Sequence, residues 1–342
     1  MSSHQERDSA PTGATISFDA GCSAARRAEV EAVCVWWASG ASTYTLPTSG
    51  STGIPKLLVF DRRHIEASAA DTIAHFGLQS GQSSPLLLSA ESTGGFMMLI
   101  RALLSGLKLE VFEVSRRPAT RPGQCYDFVA LVPEQAAALS ADPHFKPEDY
   151  RCTLLGGAPL RPDLEDALAA WPHPTYQGYG MTETLSHVAL RRVGRGSTYK
   201  ALPGVFFDQI GEALLVDAPS RGVHNLLTTD AATLYSSSEF QWLGRLDGAI
   251  ISAGKKIFPE VIEALGGSRG LAVGVPNALW GQMLVWVEPT GGDITMLAQK
   301  WKSLPSWQQP KHIVQREIPY LSSGKPDRQA LAQWAAQELA LR

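Results

Sequence analysis

The sequence predicts an α/β protein of layered sheets and helices, with a large N-terminal domain and a small C-terminal α/β domain. Three observations point there. Short apolar runs, Leu86-Leu87-Leu88, Phe128 to Val132 and Thr153-Leu154-Leu155, alternate with segments whose apolar residues recur at helical spacing. Glycine-rich loops follow several of these runs, at the strand ends where an α/β sheet collects its ligands. Near Asp247 the pattern changes, and separate apolar runs follow at Leu271 to Val275 and Leu284 to Val287.

Taken in order, Met1 to Pro11 is polar, carries charges of both signs and lacks an apolar core, so it reads as a frayed tail and not as a secretory signal. Next comes the loop Thr48 to Lys56. Beyond it, Asp61 is placed to cap a helix with Ile65, Ala69, Ile73 and Phe76 on one face and Gly77 at its C-terminal end. The longest apolar stretch, Phe96 to Leu109, is broken by Arg101 and is too short to cross a bilayer, so no membrane insertion is expected. The strand at Thr153 ends in Gly156-Gly157, and the helix after it carries Leu160, Leu164, Leu168 and Trp171, with Pro162 tolerated in its first turn. Thr175-Tyr176-Gln177 then leads into Gly178 to Glu183, and Ser303 to Pro310 reads as a surface connection. These divisions predict an N-terminal domain over residues 1–246, with a reduced region at 1–43, and a C-terminal domain over 247–342.

The 342 residues, 44% hydrophobic and 18% charged, suit a two-domain globular chain with a core that needs no covalent staples. Cys22, Cys34, Cys125 and Cys152 lie far apart with no CxxC pair, which argues against a zinc site or a disulfide framework and for a reducing cytoplasm. A net charge of -3 without a sustained basic stripe excludes nucleic acid as an expected partner, and Arg191, Arg192 and Arg195 read as a solvated loop. The sequence leaves a homodimer open.

Four motifs carry chemistry. In Thr48-Ser49-Gly50-Ser51-Thr52-Gly53-Ile54-Pro55-Lys56, small residues let backbone N–H groups approach a polyphosphate, hydroxyls donate to its oxygens, and Lys56 adds a charge. Its spacing is not that of a Walker A loop, and a flexible Ser/Gly linker has the same composition. Tyr179-Gly180-Met181-Thr182-Glu183-Thr184 offers an aromatic face, a close-approach glycine, a hydroxyl and a carboxylate, suited to a purine, an α-phosphate and Mg²⁺, and equally to helix capping. Asp230 and the motif Leu243-Gly244-Arg245-Leu246-Asp247 could hold ribose hydroxyls or form a surface ion pair. Ser322-Ser323-Gly324-Lys325 sets a lysine on a flexible tip.

In this order and at these distances, the four motifs resemble the adenylate-forming superfamily of acyl-CoA synthetases, carrier-protein adenylation domains and luciferases. The resemblance covers about Tyr44 to Leu331, and includes Gly156-Gly157-Ala158-Pro159 and Gly244 to Glu263. It implies a large adenylate-forming domain with a small mobile C-terminal domain, using ATP, Mg²⁺ and coenzyme A on a small-molecule carboxylic acid. It further implies that Thr48 to Lys56 guide the β- and γ-phosphates, Gly157, Ala158 and Tyr179 enclose adenine with Gly180 beside them, and Thr182 touches the α-phosphate. Glu183 would bind Mg²⁺, Asp230 and Arg245 would hold ribose, and Asp247 would be the hinge. Lys325 would bridge the carboxylate and the α-phosphate, and Gly254 would line the pantetheine tunnel after the domain rotates.

Within that superfamily, Ser92 to Leu103, Met181 to Arg192 and Phe240 to Arg245 look most like compact o-succinylbenzoate-CoA ligases of menaquinone biosynthesis. This resemblance places Thr93, Gly94, Ser186 and His187 at the aryl-acid pocket, although His187 reads equally well as a satisfied helix residue, and Phe96 to Leu99 as plain core. Three departures stand out: Ala253 where glycine is common, Leu226 to Asp230 lacking the frequent Thr-Gly-Asp, and Ala90-Glu91 in place of a histidine-bearing opening. The rivals are an enzyme of the same superfamily acting on another aryl or fatty acid or loading a carrier protein, and a homologue that binds nucleotide without catalysis.

Overall fold

The computed structural model describes residues 13–48, 56–119, 121, 123–266, 269–320 and 326–340. The first part of the chain runs β1 (Thr15–Phe18), α1 (Ala24–Ser39), β2 (Thr43–Pro47), β3 (Leu57–Asp61), α2 (Arg62–Phe76), β4 (Ser83–Leu86), α3 (Thr93–Ser105) and β5 (Lys108–Val111). Local signals set these boundaries. Ser23 and Ser92 accept N-terminal amides of α1 and α3, and Gly40, Gly77 and Gly106 end α1, α2 and α3 with φ of 69°, 61° and 77°. Asp61 does stand at the N-cap of α2, yet its carboxylate makes no capping hydrogen bond and pairs with Arg63 instead. Strands β1, β5 and β4 form a parallel three-stranded sheet in that order, while β2 and β3 make an antiparallel hairpin.

The central part comprises β6 (Val129–Leu131), α4 (Pro133–Ser140), β7 (Thr153–Leu155), α5 (Pro162–Ala169), β8 (Thr175–Met181), β9 (Ser186–Arg192), β10 (Thr198–Ala201), β11 (Phe206–Ile210), β12 (Ala213–Ala218), β13 (Val223–Ser236) and β14 (Glu239–Arg245). These strands join in one nine-stranded sheet, β11-β12-β13-β14-β10-β9-β8-β7-β6. Only β6, β7 and β8 run parallel, so their C-terminal ends share one rim. Burial follows from composition: Phe96 to Ile100 and Ala102 on α3 are wholly enclosed, as Phe128, Leu214, Val216 and Phe240 are within the same core.

The remainder runs β15 (Ile250–Ser252), β16 (Lys255–Ile257), α6 (Pro259–Gly266), β17 (Leu271–Asn277), β18 (Gly281–Glu288), α7 (Leu297–Lys300), β19 (His312–Gln315) and α8 (Arg328–Ala340). Its five strands make a separate sheet, β16-β15-β18-β17 with β19 parallel to β18. Two cores pack against it, one around Trp286 and Trp301, the other around Val285, Val314 and Leu331. The segment Ser303 to Pro310 is indeed a connection, with one short turn at Ser306–Gln308. No helix among the described residues is long and apolar enough to cross a membrane.

Candidate functional site

Parallel strands β7 and β8 deliver two of the motif segments to one rim. β7 ends at Gly156-Gly157, where Gly157 takes φ of 91°, and β8 ends in the 3-10 turn Thr182–Thr184. Gln177 on β8 donates to the carbonyl of Ala158 at 3.0 Å, which ties the two loops together. Thr93, the first residue of α3, meets Thr182 with their hydroxyl oxygens 2.9 Å apart. The acid segment and the α-phosphate loop expected from sequence are therefore in direct contact.

The hairpin β2–β3 that carries the base of the phosphate loop is seated on α3 through aromatic packing. Tyr44 on β2 stacks on Phe96 of α3 at 4.4 Å between centroids, with Trp36 of α1 against both rings. At the open end of the hairpin the amide of Thr48 donates to the Lys56 carbonyl at 2.7 Å, and the Lys56 amide donates to the Thr48 hydroxyl at 3.1 Å. Thr48 and Lys56 thus close the base of the loop, with Lys56 exposed. Ser49, Gly50, Ser51, Thr52 and Gly53 lie outside the described residues, as do Lys325 and the tail Met1 to Pro11.

Two glycines are required by close approach. A Cβ on Gly180 would lie 2.1 Å from the Ser186 carbonyl oxygen, and one on Gly95 would lie 2.0 Å from that of Ser89. Gly94, by contrast, would meet only the end of the Leu88 side chain, at 3.2 Å. The Ala90-Glu91 opening is fixed from α1, because Glu29 accepts the Ser89 hydroxyl at 2.6 Å and the Glu91 amide at 3.0 Å.

Several expected ligand groups are already engaged. Tyr179 is 8% exposed and packs edge-on against Tyr199 and Phe240, while its hydroxyl donates to Asp230 at 2.8 Å. Burial, then the charge of Asp230, pushes its phenol pKa far up. An open aromatic face for adenine is not what this ring presents. Asp230 also accepts Trp242 Nε1 at 3.0 Å, so the residue is a buried, doubly bonded carboxylate with lone pairs to spare. Arg245 faces Asp230 as its cross-strand partner, but its guanidinium makes two hydrogen bonds to Asp247, one of them 2.9 Å long. The residues expected to bind ribose and to act as the hinge are thus paired with each other in this arrangement. Glu183 is exposed and forms no hydrogen bond or ion pair among the described contacts, which suits Mg²⁺, a cation usually held by one or two carboxylates together with substrate phosphates.

The acid pocket differs most from expectation. His187 is enclosed, and burial, then Arg101 and Arg221, pull its pKa well below the ordinary range. Its Nε2 lies 3.3 Å from the Thr72 hydroxyl and its Nδ1 3.3 Å from that of Ser186. Because Thr72 also reaches the Ser68 carbonyl at 3.2 Å, the network assigns the ring proton to Nε2. His187 is a satisfied neutral residue, on strand β9 and not on a helix as its alternative reading has it, and it is closed to solvent. Ser186 stays part-exposed and accepts Arg101 Nη2 at 3.2 Å.

Arg101, beside Ser186, is a buried cation that the sequence motifs do not include. It is 1% exposed, and among the described residues its Nε has no partner and no carboxylate pairs with it. Burial, then the charge of Arg221, pushes it down to about 9. The signal was a lone cation inside the most apolar helix of the chain, a position that costs free energy unless an anion visits it.

On the C-terminal sheet, Gly254 takes φ of 75° and Ala253 φ of 50°, with the Ala253 amide donating to the Trp280 carbonyl at 2.8 Å. The alanine that departs from the glycine pattern therefore sits in backbone space where a Cβ is strained. A surface groove lined by Phe206, Asp208, Leu234 and Tyr235 holds none of the motif residues.

Residues 5–217 match the family described as AMP-binding enzyme. The chain belongs to that family. Among AMP-binding enzymes, 2-succinylbenzoate–CoA ligase of Enterococcus faecalis is 25% identical over 327 residues, covering 81% of this chain and 66% of the relative. That of Oceanobacillus iheyensis is 26% identical, covering 81% and 67%. The chain spans about two thirds of the length of these curated relatives. A solved acyl-CoA synthetase (AMP-forming)/AMP-acid ligase II-like protein from Dyadobacter fermentans is 29% identical, covers 92% of this chain and 96% of its own, and superposes with a TM-score of 0.62. The o-succinylbenzoate CoA synthetase of Bacillus subtilis in complex with the acyl-adenylate intermediate OSB-AMP, 21% identical with a TM-score of 0.70 over 84% of this chain and 68% of its own, shares the fold.

Proposed function

We propose that this chain is an ATP-dependent acid–CoA ligase, and that its acid is an aryl dicarboxylate of the o-succinylbenzoate type, as used in menaquinone biosynthesis. Family membership and the similarity to 2-succinylbenzoate–CoA ligases support the reaction. Arg101 carries the choice of acid. A fatty acid or simple benzoate loses its only negative charge in forming the adenylate and leaves Arg101 buried without a counterion, whereas a second carboxylate meets it beside Ser186.

In the first step a carboxylate oxygen attacks the α-phosphorus of ATP, the bond to the β-phosphate oxygen breaks, and pyrophosphate leaves. Anions are brought together, so catalysis comes from positioning and from cations where charge accumulates. Lys56 and the hydroxyls of the first loop hold the β- and γ-phosphates, Thr182 the α-phosphate with Thr93 against it on the acid side, and Lys325 bridges the α-phosphate to the carboxylate. Glu183 would hold Mg²⁺, which would supply charge neutralisation at the phosphates. In the second step the thiol of coenzyme A loses its proton and its sulfur attacks the acyl carbon, and AMP departs. A lysine over the carboxylate obstructs that approach. Rotation of residues 247–342 about Asp247 exchanges Lys325 for the Gly254 loop, and the Arg245–Asp247 pair must open for Arg245 to hold ribose.

The test is mass spectrometry of products from the full chain with ATP, Mg²⁺, coenzyme A and o-succinylbenzoate, beside benzoates and fatty acids. The expected result is o-succinylbenzoyl-CoA with AMP and pyrophosphate, and little product from monocarboxylates. Equal turnover of monocarboxylates would discard the dicarboxylate assignment, and no adenylate from any acid would discard catalysis.

A further inference from the structure

The turn that presents Ser186 is strained. Leu185 and Ser186 are consecutive non-glycine residues with φ of 53° and 85°, a conformation side chains disfavour and one that persists only where surroundings impose it. Four contacts do so here. Ser68 donates to the Leu185 carbonyl at 2.6 Å, and Thr184 Oγ1 to that of Ser186 at 2.7 Å. Arg221 Nη1 reaches the His187 carbonyl at 2.7 Å and the Thr184 carbonyl at 3.4 Å, one on each side of the strained pair.

Arg221 lies far along the chain, in the 3-10 turn Pro219–Arg221, and none of the nucleotide motifs includes it. Its side chain is fully buried, and its Nε and Nη2 donate to one oxygen of Asp71 on α2 at 3.2 and 2.9 Å. The turn itself is seated on α2: Gly222, with φ of 70°, packs so closely that a Cβ there would lie 2.4 Å from the His64 ring. One guanidinium therefore connects α2, the turn before β13 and both flanks of the Leu185–Ser186 pair.

We propose that Arg221, anchored by Asp71, is a positioning residue for the acid pocket: it holds the left-handed Leu185–Ser186 turn and thereby sets the Ser186 hydroxyl against Arg101. The proposal rests on the reading of that pocket as the acid site. Arg221 touches no substrate, and its one contact with the nucleotide loop is the long 3.4 Å bond to the Thr184 carbonyl, so its loss acts first on acid recognition and much less on ATP. A planar fork is needed, because it reaches a carbonyl and a carboxylate in two directions at once, which an ammonium does not reproduce.

The test uses the full chain with Arg221→Lys, Asp71→Asn and the double variant, read by acid-dependent ATP–pyrophosphate exchange and by hydrogen exchange of the 182–188 segment. Each single variant is expected to raise the KM for acid about tenfold, the scale of one charge-assisted hydrogen bond, with the KM for ATP within about twofold. Amides of the 182–188 segment should exchange about tenfold faster while those of β12 stay unchanged, and the double variant should be no worse than either single. Parallel rises in both KM values, or no local acceleration, overturn the proposal. Should Arg221→Lys fail to fold, Asp71→Asn carries both readouts. If the wild-type chain shows no exchange with any acid, the acid-site reading fails by itself, and unchanged amide exchange in the variants would separately refute the clamp.

Discussion

Replacing Arg101 with methionine should make the protein more stable and poorer at binding its acid. The side chain is fully enclosed, hydrogen-bonded through one nitrogen to Ser186, and pushed down to about 9 by burial and by Arg221. At about 1.4 kcal/mol per pH unit, that descent from the ordinary arginine value corresponds to roughly 4–5 kcal/mol against the charged form, an upper figure for what the empty site sacrifices. Methionine fills similar volume without charge. After the lost hydrogen bond, about 1 kcal/mol, a net gain of about 1–4 kcal/mol is expected, as when other buried ions are replaced by apolar groups. Acid binding moves the other way. Loss of a charge-assisted pair worth about 1.5–3 kcal/mol raises the KM for o-succinylbenzoate by roughly 10- to 100-fold and leaves that for ATP nearly unchanged. Thermal melting and ATP–pyrophosphate exchange measure the two effects. A lower Tm, or an unchanged acid KM, would refute the view of Arg101 as a cation kept for an anionic substrate.

Lys325→Ala should abolish pyrophosphate exchange while thioester formation from supplied acyl adenylate survives, and equal loss of both half-reactions would contradict its assignment to adenylation alone. The pKa of His187 lies well below 6.5 in the folded protein, so the unfolded chain takes up that proton first. Its contribution to stability is complete above that pH and is lost as pH falls below it; denaturant melts of His187→Gln should show a flatter decline below pH 6.5, and a slope identical to wild type would count against a buried neutral imidazole. Ala253→Gly relieves a positive φ at an exposed position and should add about 0.5–1 kcal/mol after the entropy of glycine is deducted, read as a higher denaturant midpoint with unchanged slope. A lower midpoint would mean that the loop gains from the methyl group.

Sequence by itself determined the fold class, the family and the order of the nucleotide motifs, because those rest on local chemistry. Apolar runs set strands β6 and β7, glycine ends α2, and a Ser/Thr/Gly loop ending in lysine is recognisable without knowing its neighbours. Tertiary structure decided what each polar side chain faces. Tyr179 and Asp230 are 51 positions apart and bond to each other, which buries the ring expected as an open aromatic wall and fixes the carboxylate expected to hold ribose. Asp71, Arg101, His187 and Arg221 are scattered along the chain, the first and last 150 positions apart, and no local pattern links them. Arg101 was visible only as a break in an apolar stretch, and Arg221 carried no signal at all. Local preferences act over a few residues and can be read along a chain, whereas the charge, strain and hydrogen-bond partners of the acid pocket arise from groups that meet only once α2, α3 and β9 have packed.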